Sequence, residues 1–389
     1  MKKILFITPQ NPEIADAGDK KYTWDILKAI KYSGEVYVHV VSYFEEEEGD
    51  LGYSRLEKLV DKVSYVPFQR LKPFEMAISI YPAFIAHRKT KVMQQCVKQI
   101  LDVENFDAIV VNMFKMSWLI STIKNYSGKK IFVSHNVESQ VAKSIYQHTG
   151  NFVKKIAYML DYLKTKYWEP FFLSKYDSIT AICDCDAELI GKMKNVNKPT
   201  VVRPIVNVSP FKELNLHSGK MIICGSFRWL PKIINIQHVL RANNISLLKS
   251  KNKQLMIIGN ADVSVINEGN NIDNVYVSGY VESVSSFYRE AEVALIPEQS
   301  GGGFKLKIAE AVQYHIPIVA IRGSVTDKQM RSGIHFIEAD NFDDLLTKGI
   351  ELTEDRVKQE ALVKNSLALF GKTYSISAVN IVLNDVLFS

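Results

Sequence analysis

Cysteine is scarce in this chain. The 389 residues hold four, Cys96, Cys183, Cys185 and Cys224. That excludes a disulfide framework and fits a reducing compartment, here expected to be the cytoplasm. Cys183 and Cys185 lack partner ligands at zinc spacing. No run approaches the ~18 apolar residues of a membrane span. The longest candidate, Met76 to Ala86, is shorter and contains Pro82. The opening apolar run Ile4–Thr8 is too short for a signal-peptide core. No internal repeat stands out, and the only low-complexity segment is Glu45–Glu48. No nucleic-acid recognition motif accompanies the net charge of +6, which argues against a nucleic-acid partner.

The chain has enough length for two domains and enough apolar residues, 47 %, for large cores. Its positive excess is uneven: residues 51–170 carry roughly twice as many Lys and Arg as Asp and Glu. A basic N-terminal half could meet a phosphorylated acceptor or the inner face of a membrane, or could be a mildly basic solvated surface. The aromatic and basic stretch Tyr158–Phe172 has the same two readings: contact with a membrane or lipid-linked acceptor, or a helix with its aromatics in the core.

Apolar runs alternate with helical periodicity along the chain. Ile4–Thr8, Val36–Ser42, Ala108–Asn112, Lys130–Ser134 and Ser178–Ile182 read as buried strands, with helices between them. The pattern pauses at the polar stretch Lys194–Pro204. It resumes with Met221–Cys224, Gln254–Ile258, Val275–Val277, Val293–Ile296, Ile318–Ala320 and His335–Ile337, and its clearest helix is Lys307–Tyr314. Continuous apolar strands joined by helices predict parallel sheets covered on both faces. The spacing therefore predicts an α/β chain of two domains, 1–200 and 201–374. An amphipathic helix at the end, 375–388, has Ile376, Val379, Val382 and Leu387 on or near one side.

The segment Pro297–Ala311 is the most informative. A strand ends at Ile296, the glycines Gly301, Gly302 and Gly303 follow, and a helix is expected from near Phe304. Glycine lets backbone amides approach a ligand, and a helix N-terminus favours anions. Lys305 and Lys307 add cationic donors, and Glu310, a turn further on, can accept from vicinal hydroxyls. These features suit a diphosphate followed by a ribose. They suit equally a flexible glycine loop before an ordinary helix with exposed lysines.

Gly-Gly-Gly-Phe-Lys-Leu-Lys-Ile-Ala-Glu-Ala followed by His315-Ile316-Pro317-Ile318-Val319 resembles the donor-site signature of glycosyltransferase family 4. The resemblance extends through nearly the whole chain. His135-Asn136-Val137-Glu138 looks like the His-Asn-Val-Glu of a subgroup, and Gly225-Ser226-Phe227-Arg228-Trp229-Leu230-Pro231-Lys232 is similar to its Gly-Ser-x-x-Trp-x-Pro-Asn. Asp16-Ala17-Gly18-Asp19-Lys20 resembles the family's first glycine loop, and Ser278-Gly279-Tyr280-Val281-Glu282 its base-contacting loop. Three positions depart: Gly302 replaces a first glutamate, Ser226 an arginine on the diphosphate, and His315 a glycine.

This resemblance implies the GT-B fold, with two Rossmann-like domains whose parallel sheets face a central cleft. The first domain would bind the acceptor, with the helix at 375–388 packed back on it, and the second would bind the donor. The implied activity is retaining transfer of a sugar from a UDP or GDP donor to a saccharide, glycolipid or protein-linked acceptor, in surface-polysaccharide or glycoconjugate assembly. His135, Lys307 and Glu310 would carry the chemistry. Gly18, Gly225, Arg228, Lys232, Tyr280, Val281, Gly301, Gly302, Gly303, Phe304 and Lys305 would surround the nucleotide. The lysines would do the work of a metal, so no metal or other cofactor is expected. Two other readings share the fold: a nucleotide-sugar epimerase or hydrolase, and a non-catalytic binding partner. Asp184-Cys185-Asp186 looks like an Asp-x-Asp metal motif but sits where a helix start favours acids.

Overall fold

Ile4, Leu5, Phe6 and Ile7 are all fully buried. Successive strand residues point to opposite faces, so four buried in a row require cover on both sides of the sheet. The computed structural model, which describes residues 1–13, 18–44, 53–68, 71, 73–212, 214, 218–227, 230–298 and 304–389, supplies that cover with helices. The chain divides into two compact units, Met1–Ile205 with Ile376–Ser389, and Val206–Ser375.

Unit 1 is built on β1 (Lys2–Thr8), β2 (Val36–Phe44), β3 (Lys62–Pro67), β4 (Ala108–Asn112), β5 (Lys129–Val133), β6 (Ser178–Ala181) and β7 (Thr200–Val201). They run parallel in the order β3-β2-β1-β4-β5-β6-β7, with Ile4 opposite both Val38 and Ala108. β3 and β7 were not foreseen. Both are edge strands, and β3 buries only Val66 fully, so neither carries a continuous apolar run. The helix Ile376–Phe388 closes this unit. It buries Val379, Leu383, Val386 and Leu387, and Asn380 Nδ2 donates to the Ala29 carbonyl of helix Gly18–Lys31 at 2.7 Å.

Unit 2 is built on β8 (Lys220–Cys224), β9 (Gln254–Ile258), β10 (Val275–Val277), β11 (Val293–Ile296), β12 (Ile318–Ile321) and β13 (Ile337–Ala339), parallel in the order β10-β9-β8-β11-β12-β13. The sheet separates two apolar layers. Ile222, Cys224, Ile258 and Ile296 face one, and Met221, Ile223, Leu255 and Leu295 the other. That is the period-two alternation of strands covered on both sides. The last strand lies two residues beyond the predicted His335–Ile337, because His335 is held in a turn where its Nδ1 accepts from the Arg331 N–H. Both sheets thus have the expected α/β, Rossmann-like order, which reverses beside the first strand of each unit: between β1 and β4, and between β8 and β11. At such a reversal the loops leaving the carboxyl ends diverge and open a crevice.

Among the described residues one helical stretch, Arg356–Phe388, is long and apolar enough to cross a membrane. It is interrupted at Tyr374–Ser375, and its two parts bury their apolar residues in different units.

Candidate functional site

In unit 2 the chain leaves β8 at Gly225 and β11 at Pro297-Glu298, the two strands flanking the reversal. Glu298 is 6 % exposed, and its position is fixed by the hydroxyl of buried Ser324, which donates to its backbone carbonyl at 2.6 Å. The helix after β11 begins at Leu306 rather than near Phe304, so Lys305 takes the N-cap position and Lys307 lies in the first turn. Lys307 Nζ forms an ion pair with Glu298 Oε1, and only 11 % of the lysine side chain is exposed. The ammonium also lies 5.8 Å from the centre of the buried Phe227 ring.

Two further lysines act on the same carboxylate. Burial pushes the Glu298 carboxyl up, but Lys307, Lys305 and Lys232 reverse this and hold it below its usual range. Lys232 in turn is held below the usual lysine range, first by burial and then by Lys307. Three cations therefore converge on one buried carboxylate, leaving net positive charge at the mouth of the crevice. Glu298 Oε2 is buried and has no hydrogen-bond partner among the described residues.

Glu310, one turn beyond Lys307, accepts from the Tyr288 hydroxyl at 3.1 Å. Tyr288 stacks on Tyr314 with ring centres 4.9 Å apart and planes 4° apart. Burial, with the Glu310 charge second, pushes the neighbouring Cys224 thiol up to about 11, so it stays protonated. One oxygen of Glu310 is thus held by a rigid aromatic pair, which fixes where its carboxylate can accept from a ligand.

Gly225 leaves space that a side chain would occupy: a Cβ there would stand 3.3 Å from Lys307 Nζ. Its N–H donates to the Ile258 carbonyl at 3.0 Å. Gly259, at φ +128°, passes so close that a Cβ would lie 1.9 Å from the Gly225 oxygen. The Gly259 N–H donates to Ser278 Oγ at 3.2 Å, so the loops after β8, β9 and β10 are tied together. The third loop presents Tyr280, 74 % exposed, while Val281 packs on the core. Phe304 meets Tyr374 at a tilt, ring centres 5.5 Å apart, which places its ring against protein. The candidates Arg228, Gly301, Gly302 and Gly303 lie outside the described residues.

His315, where the family resemblance expects glycine, has φ +59° and is buried. Its Nδ1 accepts from the Lys212 N–H at 3.2 Å and its Nε2 bonds Ser209 Oγ at 3.1 Å. The imidazole thus offsets its backbone strain by pinning the start of unit 2.

In unit 1 the equivalent crevice holds Thr8, Asn112 and His135, from the ends of β1, β4 and β5. Asn112 Nδ2 donates to Thr8 Oγ1 at 3.2 Å and to Thr23 Oγ1 at 2.9 Å. Its Oδ1 must then accept, so His135 Nε2, 2.8 Å away, carries the proton. Burial holds the His135 imidazole near 4, with Asp19 and Lys115 acting in opposite directions, so the ring is neutral at physiological pH. Its Nδ1 is a buried acceptor with no partner among the described residues. Tyr22 fixes the ring edge-on at 4.9 Å. Gly18 is the exposed first residue of its helix, and Asp19 beside it accepts from Gln10 Nε2 at 2.9 Å.

Glu138 and Asp186 did not stand out as site residues. Burial and then the nearby Glu169 push Glu138 up to about 8. Glu169 spends both oxygens on the N–H groups of Glu138 and Ser139, at 2.7 and 3.0 Å, capping that helix. Asp184 pairs with Arg203 at 2.7 Å, and Asp186 is buried. Among the described residues no group of three or more His, Cys, Asp or Glu is placed to hold a metal ion. Glu298, Tyr288 and Asn112 are the residues the sequence reading missed. Only Glu298 had a signal, as the first acid after the strand at the reversal.

Residues 219–355, which lie within unit 2, match the family model described as glycosyl transferases group 1. No curated protein matches the chain by sequence. Solved structures resemble it over its whole length. TarM of S. aureus, in a complex with Fondaparinux, alpha-GlcNAc-glycerol and UDP, is 12 % identical with a TM-score of 0.69, covering 100 % of both chains. HepE of Anabaena, in complex with UDP and glucose, is 12 % identical with a TM-score of 0.66, covering 100 % of this chain and 99 % of its own. Sucrose-phosphate synthase of Thermosynechococcus elongatus is 14 % identical with a TM-score of 0.67, covering 99 % and 98 %. At these identities the likeness is one of fold, and the fold is GT-B.

Proposed function

We propose that this chain is a retaining glycosyltransferase that takes a sugar from a UDP or GDP donor and gives it to an acceptor hydroxyl of a saccharide, glycolipid or protein-linked glycan. The observation that carries the reading is the convergence of Lys232, Lys305 and Lys307 on Glu298 at the reversal of the second sheet, one helical turn from the braced Glu310. The match of this unit to group 1 glycosyl transferases, and the UDP held by TarM and HepE, support it.

On this reading the ribose hydroxyls donate to Glu310 and the diphosphate lies against the first turn of helix Leu306–Gln313. The leaving group gains negative charge as the glycosidic bond to phosphate breaks. Lys307, Lys305 and the helix N-terminus stabilise that charge. The lysines supply the positive charge themselves, so the reaction is proposed to need no metal. Gly225 keeps the backbone clear of the lysine head. His135, neutral and protonated on Nε2, offers its unpaired Nδ1 to a sugar hydroxyl. Retention, the choice of donor and a role in surface-polysaccharide assembly rest on the family resemblance.

The test is a melting panel with UDP, GDP, ADP, CMP and their sugar conjugates, with and without EDTA, followed by donor-turnover assays. A ligand at a hundred times its dissociation constant stabilises by about 2.7 kcal/mol. A shift with one diphosphate class, unaffected by EDTA, is expected. No shift with any nucleotide at millimolar concentration refutes the donor site.

A further inference from the structure

Helix Phe152–Leu173 carries two apolar faces. The inner one is ordinary core: Trp168 stacks on Phe172 at 5.1 Å and meets Tyr81 at a tilt at 4.7 Å, and its Nε1 donates to the Ile80 carbonyl at 2.9 Å. The outer one is exposed along its length. Phe152, Ile156, Leu160, Leu163, Tyr167 and Phe171 follow one another at spacings of three or four, which sets them in a single stripe along five turns. Each is between 38 % and 76 % exposed. Ile78 and Ile80, at 66 % and 67 %, extend the surface from the segment beside it, which is held there by Lys164 Nζ donating to the Ser79 carbonyl and Asp161 accepting from the Ala83 N–H. A soluble chain does not expose this much contiguous apolar surface without a use for it.

The exposed charge along this helix is positive. Residues 152–175 include Lys154, Lys155, Lys164, Lys166 and Lys175 against two acids, Asp161 and Glu169. Both acids are turned inward onto backbone N–H groups, Asp161 onto Ala83 and Glu169 onto Glu138 and Ser139. At 3.6 residues per turn, Lys155 and Lys166 fall along one border of the stripe and Lys164 along the other. Lys175 closes the end, with its ammonium 3.6 Å from the Phe171 ring centre.

We propose that this face docks unit 1 on an anionic lipid surface, with the helix lying in the plane of the interface. The Phe152–Phe171 stripe enters the headgroup boundary, and the lysines on its borders meet lipid phosphates. A second copy of the chain fits less well. A two-fold contact through this stripe would set the same lysines of the helix against each other. The inference is independent of the reaction proposed above.

Co-sedimentation with vesicles of phosphatidylcholine, with and without phosphatidylglycerol, tests it. The protein is expected to pellet with the anionic vesicles, to release as salt rises, and to stay in solution with the neutral ones. Lys155→Ala and Lys166→Ala each weaken binding about fivefold. The double variant Leu160→Asp/Leu163→Asp abolishes it with an unchanged melting temperature, since both side chains are exposed. Binding equal to neutral vesicles, no binding to anionic ones, or full binding by the double variant overturns the proposal. So does a solution dimer that the double variant converts to monomer.

Discussion

Removing Lys307 should do two things that can be separated. The ammonium is the hydrogen-bonded partner of Glu298, a carboxylate 6 % exposed whose other oxygen has none among the described residues. Breaking a buried pair from one side costs about 3–5 kcal/mol, because a charge is left behind. Lys232 and Lys305 remain within electrostatic reach of Glu298, which places the cost near the lower end, about 3 kcal/mol. For a unit of this size that lowers the melting temperature by about 6–12 °C. On the proposed reaction the same substitution also removes a donor to the leaving diphosphate, worth about 3 kcal/mol of barrier and more than a hundredfold in turnover. Lys307→Met alone should therefore lose both stability and turnover. Lys307→Met with Glu298→Gln removes the stranded charge and should melt within about 3 °C of the parent, with turnover still more than a hundredfold down. Thermal unfolding by circular dichroism and a donor-turnover assay on the same samples read the two effects. A single variant that melts with the parent would show the ion pair contributes nothing. A double variant with restored turnover would leave Lys307 only a structural role.

Tyr288→Phe removes the hydroxyl that steadies Glu310 but keeps the stack on Tyr314. It should weaken nucleotide binding about fivefold, the loss of one hydrogen bond of about 1 kcal/mol, and calorimetry showing unchanged affinity would contradict the bracing. Gly259→Ala should cost at least ~3 kcal/mol through collision with the Gly225 carbonyl. Gly34→Ala, with a similarly positive φ of +72° and open space, should cost only about 1 kcal/mol. Equal melting temperatures for the two would show that the close approach is relaxed. Glu138 is pushed up in the folded state, to about 8 from 4.5. Its contribution to stability is therefore full below about pH 4.5 and is lost as pH rises through about 8. Glu138→Gln should gain on the parent by a few kcal/mol across that window, and parallel stability curves would refute the shift.

The parallel sheets were legible because their central strands are apolar at every position, as in Ile4–Ile7 and Val293–Ile296. The edges β3 and β7 were not, since a half-solvated strand gives no such run. The glycine-to-lysine segment pointed to the crevice because glycines, cations and an acid follow a strand in an order that ordinary helix starts do not need. The pairing of Lys307 with Glu298 was hidden, since it depends on where two ends of a loop meet in space. So was the Tyr288 brace, which reaches Glu310 across 22 positions from another helix. Helix Phe152–Leu173 could be read two ways because it carries apolar residues on two faces, one packed in the core and one exposed.

Unit 1 is interrupted in the sequence and unit 2 is not. As the chain leaves the ribosome, helix Gly18–Lys31 emerges early, but the helix that covers it, Ile376–Phe388, emerges only after all of Val206–Ser375. Unit 2 can reach its native state as a contiguous piece, whereas the first-synthesised unit must wait with an apolar face uncovered for the whole time the second is being made. Its folding is therefore bound to the synthesis of Ile376–Phe388, and a chain stalled before that helix would expose that face first.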